Sequence, residues 1–163
     1  MRNPGHIDAK LLTAEEAVKK IAQWRLLNKT VAFTNGCFDI LHSGHIFSLS
    51  EAARQADYLI IGLNSDASTN RLKGNDRPIN DQLARAQLLS ALVMVDAVIL
   101  FDEDTPLELI KKILPDVLVK GGDYTIEQIA GAKEVIAHGG KVIINPILEG
   151  FSTTGLIEKI NKL

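Results

Sequence analysis

Short apolar runs alternate with helical stretches from residue 30 to residue 160, and no other feature of the sequence restricts the fold so tightly. The runs are residues 30–33 (TVAF), 58–63 (YLIIGL), 97–101 (AVILF), 116–119 (DVLV) and 141–144 (KVII). YLIIGL lacks the every-second-residue polarity of a strand with one wet face, so it predicts a strand buried on both sides, as in a parallel sheet. Helical patterns occupy residues 43–55, 81–94, 126–137 and 152–160, and a further helix opens at Thr105-Pro106. Proline suits a first helical turn because the N–H it lacks has no partner there.

Strand-helix alternation with short connections predicts an α/β fold: an open parallel Rossmann-like sheet with helices on both faces and right-handed crossovers. Such sheets bind ligands beyond the carboxyl ends of their strands. Residues 35–45, 64–77, 120–123 and 146–154 are polar and each follows a predicted strand, so four segments should converge on one edge. With 163 residues the chain has the length of one domain. Residues 1–29 read as an N-terminal extension with one helix, and residues 30–163 as the main domain. In the extension Thr13 and Glu16 have capping-box spacing, and Val18, Ile21 and Trp24 or Arg25 recur at helical intervals, predicting a helix packed outside the sheet. Residues 1–12 are expected to be loosely held. Residues 64–80 (NSDASTNRLKGNDRPIN) read as one long polar loop facing substrate, carrying Arg71, Lys73 and Arg77.

The formal net charge is -2, too acidic for a protein that covers nucleic-acid backbone, so any anion site must be local. Cys37 is the single cysteine and forms no intrachain disulfide. The first ten residues lack an apolar signal stretch and no run approaches the roughly 18 apolar residues of a membrane span, which predicts a cytoplasmic protein.

The segment NGCFDILHSGH, residues 35–45, leaves a strand, turns at a glycine and sets His42 and His45 around Gly44 as a helix begins. A helix start has unpaired N–H groups and the positive end of the dipole, which suit a phosphate, and Gly44 permits close approach. Competing readings are a chance histidine pair, a zinc site and, for Cys37, a nucleophile rather than a reduced, partly buried thiol. Ser152, Thr153 and Thr154 form either a second anion cradle or an ordinary helix cap. Lys73 and Arg77 either close over a phosphate or stay solvated, and Arg85 faces either the cleft or the surface. Lys120, before Gly121-Gly122-Asp123, sits at a strand's carboxyl edge and favours a ligand contact. Asp39 orients its turn or a hydrated metal, and His138 ends a helix.

TNGCFDILHSGH followed at a distance by STTGLIEKI resembles the HxGH nucleotidyltransferase superfamily. The runs GLNSDAS, RLKG, RPIN, LFDEDTP, PDVLVKGGDY, IAGAKEV and EGFSTT extend the likeness over about residues 31–160, most closely to the adenylyltransferases of ADP-heptose synthesis, without the kinase to which some are fused. The resemblance implies transfer of AMP from ATP to D-glycero-β-D-manno-heptose 1-phosphate for lipopolysaccharide, with Mg²⁺, in a homodimer. By the same resemblance His42 and His45 contact the triphosphate, and Ser152, Thr153 and Thr154 hold its β- and γ-phosphates. Taken together with the placement of the polar segments, His42, His45 and Lys73 are the expected catalytic residues, Asn35, Gly36, Phe38, Gly44, Lys120, Gly121, Ser152, Thr153 and Thr154 the expected nucleotide contacts, and Asp39, Asn64, Arg77 and Asp123 the expected sugar-phosphate contacts. No metal ligand is assigned. Ile147 replaces the arginine of related cytidylyltransferases, which weakens a cytidylyl reading, and Lys159 stands where many relatives have arginine. The alternatives are another small cytidylyl- or adenylyltransferase, such as a glycerol 3-phosphate cytidylyltransferase, or a nucleotide sensor without turnover.

Overall fold

A computed structural model describes residues 5–122, 124–146, 148, 150–160 and 162. The central sheet contains β1 (Leu11–Leu12), β2 (Val31–Gly36), β3 (Tyr58–Asn64), β4 (Ala97–Phe101), β5 (Val117–Gly121) and β6 (Lys141–Asn145). Its spatial order is β1-β4-β3-β2-β5-β6, and every neighbouring pair is parallel. The helices are α1 (Gly5–Asp8), α2 (Ala14–Leu26), α3 (Ser43–Ala53), α4 (Asp66–Lys73), α5 (Gln82–Ser90), α6 (Leu107–Ile113), α7 (Ala132–Ala137) and α8 (Thr153–Ile160). The expected open parallel α/β sheet is therefore present, with the order reversing beside β2.

Successive strand residues point to opposite faces, and the apolar runs bury both. On one face Phe33, Ile60, Ile99 and Leu118 pack with Ile21 and Trp24 of α2, Ile110 of α6 and Val135 of α7. On the other, Ala32, Ile61, Val98 and Val119 pack with Leu49 of α3 and Ala86 and Leu89 of α5. Gly62 makes room at the sheet's centre, since a Cβ there would lie 2.6 Å from Cζ of Phe33.

The Thr13–Glu16 capping box forms as expected. The buried stripe of α2 is Ala17, Ile21 and Trp24 rather than one through Val18, which is 39% exposed. Residues 5–29 are part of the same structure, because Leu11 and Leu12 add an edge strand to β4 and Trp24 stacks on Tyr58 at 4.0 Å.

Three boundaries differ from expectation. Residues 64–80 are not one loop: Ser65 accepts from the amide of Ser68 and starts α4, which buries Ser68 and Thr69. β2 continues through Asn35 and Gly36, paired with Gly62 and Leu63. Residues 126–137 divide into a 3₁₀ turn, Ile126–Gln128, and α7, broken at Gly131. Gly131 has φ +85 and lies against Ile110, whose Cδ1 would be 2.6 Å from an added Cβ.

Candidate active site

The carboxyl ends of β2, β3 and β5, with the turns after β4 and before α8, enclose a cavity of about 650 Å³, within the ordinary range for small-molecule sites. It gathers Asn35, Gly36, Phe38, Asp39, His42, His45, Asn64, Lys73, Arg77, Lys120, Ser152, Thr153 and Thr154 from four chain segments. Gly44 and Gly121 are not on its wall. Gly44 lies beneath the histidines, where a Cβ would come 3.0 Å from His42 Cε1 and from Phe151 Cβ, and Gly121 faces Ser48. Asp123 lies outside the described residues.

His42 caps α3 with extended backbone, φ −144, but its side chain makes no capping bond. Its carbonyl accepts from the amide of His45 at 2.9 Å, and the two rings stack at 3.9 Å between centroids. His42 therefore precedes the helix, and the pair meets by stacking. Phe38, held at φ 45, places its ring 5.3 Å from that of His45. Burial lowers the pKa of His42. Burial, and secondarily the neighbouring His42, bring His45 to about 4. Both imidazoles are thus neutral near pH 7. Their Nδ1 atoms are buried without a hydrogen-bond partner, an uncommon deficit that a bound polar ligand would relieve.

A second helix start faces the same space. Ser152 Oγ accepts from the amide of Gly155 at 3.0 Å, and Thr153 Oγ1 donates to the carbonyl of Ile40 at 3.4 Å, joining α8 to the turn before α3. Phe151 stacks loosely on His42 at 6.4 Å. Two helix N-termini directed at one cavity favour an anion there.

Cations complete the wall. Lys120 donates from Nζ to Asn35 Oδ1 at 3.4 Å and stands 5.6 Å from the Tyr124 ring centre. Its pKa is lowered, chiefly by burial and then by Lys73. Lys73 closes α4, and Arg77 follows it. The two described carboxylates on the wall are already paired, Asp39 with Arg77 at 2.5 Å and Asp104 with Arg71 at 2.7 Å. Asp39 also accepts from the amides of Ile79 and Asn80 at 2.8 and 3.0 Å, so its carboxylate is held in place on the wall by three hydrogen bonds. Asn64 directs its amide nitrogen to Ser68 at 3.0 Å. The cavity is therefore positive in a chain whose net charge is -2.

Arg85, which the sequence left facing either the cleft or the surface, is fully buried. It donates to the carbonyls of Asn80, Cys37 and Asn64 at 3.0, 2.6 and 2.9 Å, and to Asp66 Oδ1 at 2.7 Å. One guanidinium thus ties the ends of β2 and β3 to α4 and to the connector before α5. The available signal was its spacing, since Arg85 shares the buried stripe of α5 with Ala86 and Leu89.

A doubly covered parallel sheet whose strand ends open onto a cationic cavity with two helix starts defines an α/β protein that handles phosphorylated ligands. Residues 33–159 match the family described as cytidylyltransferase-like. The chain belongs to that family of nucleotidyltransferases. It is 54% identical over 153 residues to the bifunctional protein HldE of Rhodopseudomonas palustris (strain BisB5), covering 93% of this chain and 31% of that one. The protein of the same name from Caulobacter vibrioides is 51% identical over 158 residues, covering 97% and 32%. This chain therefore spans about a third of the length of these relatives. A solved lipopolysaccharide core biosynthesis protein from Thermoplasma volcanium superposes with TM-score 0.58 at 31% identity, over 74% of this chain and 97% of that one. A pantoate-beta-alanine ligase from Francisella tularensis shares the fold, with TM-score 0.58 at 14% identity over 94% and 78%. No helix among the described residues is long and apolar enough to cross a membrane.

Proposed function

We propose that this chain transfers AMP from ATP to D-glycero-β-D-manno-heptose 1-phosphate, giving ADP-heptose and pyrophosphate for lipopolysaccharide heptose synthesis. The observation that carries this reading is the cavity that joins the stacked His42–His45 pair, the start of α8 and three cationic side chains, with both described wall carboxylates already paired. Such a site favours two polyanions brought together, and the likeness to HldE proteins selects among nucleotidyl transfers.

A phosphate oxygen of the acceptor forms a bond to the α-phosphorus of ATP. The bond from that phosphorus to the bridging oxygen breaks, and pyrophosphate leaves with the electron pair. The attacking oxygen is already anionic, so the step needs no general base, and catalysis comes from alignment and charge stabilisation. His42 and His45, neutral in this environment, donate N–H groups to phosphate oxygens as charge develops. The starts of α3 and α8, with Ser152, Thr153 and Thr154, receive the leaving phosphates. Lys73 and Lys120 offset the remaining charge.

Among the described residues no group of three His, Cys, Asp or Glu is placed to hold a metal ion. Asp39 and Asp104, the described carboxylates on the wall, are paired to arginines, so Mg²⁺ would enter with the nucleotide and would supply neutralisation of its phosphate charge beside Lys73 and Lys120. We place the enzyme in the cytoplasm, as a homodimer.

The test is pyrophosphate release with ATP or CTP against a panel of phosphorylated acceptors. The expected result is turnover with ATP and heptose 1-phosphate far above any other pair. Preference for CTP with glycerol 3-phosphate makes the chain a cytidylyltransferase, and ATP binding without product makes it a sensor.

A further inference from the structure

We infer that Arg77 is the receptor for the acceptor's own phosphate, and that Asp39 is a positioning residue that acts through it. This rests on the nucleotidyl-transfer reading and assigns a part of the cavity that the triphosphate does not need.

Arg77 sits in the connector between α4 and α5, with its side chain 17% exposed, and its Nε donates to Asp39 Oδ2 at 2.5 Å. That carboxylate is itself only 2% exposed. Its other oxygen accepts from the amides of Ile79 and Asn80, and Asn80 Nδ2 donates to the Asp39 carbonyl at 2.7 Å. The connector is thus pinned at four points to the turn that leads into α3. No acceptor among the described residues engages Nη1 or Nη2 of Arg77, which lines the cavity. A guanidinium held through Nε, with its Nη edge available, matches the forked geometry of a phosphate.

Strand order indicates which phosphate. The start of α8 follows β6 and Lys120 lies on β5, both on one side of β2, whereas Arg77 and Lys73 belong to the segment after β3, on the other side. In-line displacement puts the attacking and leaving groups on opposite sides of the α-phosphorus. If pyrophosphate departs towards α8, the acceptor's phosphate enters from the β3 side, where Arg77 and Lys73 stand.

Calorimetry of the full chain with a non-hydrolysable ATP analogue, and separately with heptose 1-phosphate, tests this in Arg77→Gln, Asp39→Asn and the double variant. Circular dichroism checks each fold, and Arg77→Ala supplemented with free guanidinium provides a second route if Asp39→Asn does not fold. The expected result is about 10- to 100-fold weaker binding of the sugar phosphate in Arg77→Gln, the range for a lost charge-assisted pair. Affinity for the ATP analogue should stay within about twofold. The double variant should bind no worse than Arg77→Gln alone, because Asp39 acts through Arg77, and guanidinium should restore part of the loss in Arg77→Ala. An unchanged sugar-phosphate affinity, an equal loss for both ligands, additive single losses or failure of rescue would each overturn the assignment. The transfer reading is judged separately, by pyrophosphate release from the wild-type chain.

Discussion

Replacing Arg85 by Met should remove about 2 kcal/mol of stability. The guanidinium is fully buried and donates to three carbonyls, those of Cys37, Asn64 and Asn80. Methionine fills a similar volume and satisfies none of them. The Asn64 carbonyl keeps the Thr69 hydroxyl at 3.5 Å, so two carbonyls lose their side-chain donor, and a buried acceptor left without its donor costs about 1 to 3 kcal/mol. At the lower bound for each, the sum is about 2 kcal/mol. The fourth partner, Asp66, has a side chain 42% exposed and rehydrates when the arginine is gone, so it adds little. For a chain of this size the loss corresponds to a melting temperature lower by about 4 to 8 °C. Arg85→Lys should recover little of it, because one ammonium does not span four acceptors. Urea unfolding of wild type and both variants measures the difference. A loss below about 1 kcal/mol for Arg85→Met, with an unchanged m-value, would refute the claim that these carbonyls depend on Arg85. Two of them border the cavity, so ATP affinity should fall along with stability.

Gly44→Ala should separate stability from binding. Alanine favours a helix by about 1 kcal/mol over glycine, but its Cβ would meet His42 and Phe151 at 3.0 Å, so ATP affinity is expected to drop at least about tenfold with little thermal shift; unaltered affinity would show that the ring position tolerates the crowding. His45→Ala should lower kcat by about 10² to 10³-fold in a folded protein, and near-normal turnover would remove His45 from the chemistry. The pKa of His45 is lowered from 6.5 to about 4, so as pH falls the unfolded chain takes up this proton first. The associated stability is complete above about pH 6.5 and is lost towards about pH 4. Urea midpoints across that window should fall more steeply for wild type than for His45→Gln, and parallel curves would contradict the depressed value.

The strands were legible because a doubly buried parallel strand leaves an uninterrupted apolar run, and YLIIGL and AVILF fall within one residue of β3 and on β4. Helix starts were legible where a capping side chain is local, as at Thr13 and Glu16. Residues 64–80 were misread because α4 has few apolar residues; its buried face consists of Ser68 and Thr69, held by hydrogen bonds to Ser65, Asn64 and Glu103 that no periodicity announces. The edge strand β1 was missed because two residues are too few for a pattern.

By itself the sequence determined the α/β class, the strand and helix sequence apart from α1, β1 and α4, and the set of polar segments that meet at one sheet edge. Periodicity and capping are local properties, and strand-end convergence follows from parallel pairing alone. Only the tertiary structure decided how each polar residue is used. Asp39 and Arg77 are separated by 38 positions, and Arg85 lies 48 positions from Cys37. Whether such a charge faces a ligand or a buried partner depends on what the fold brings within hydrogen-bond distance. The histidine pair shows both contributions: its spacing comes from the chain, while its neutrality comes from burial and, at His45, also from the neighbouring His42.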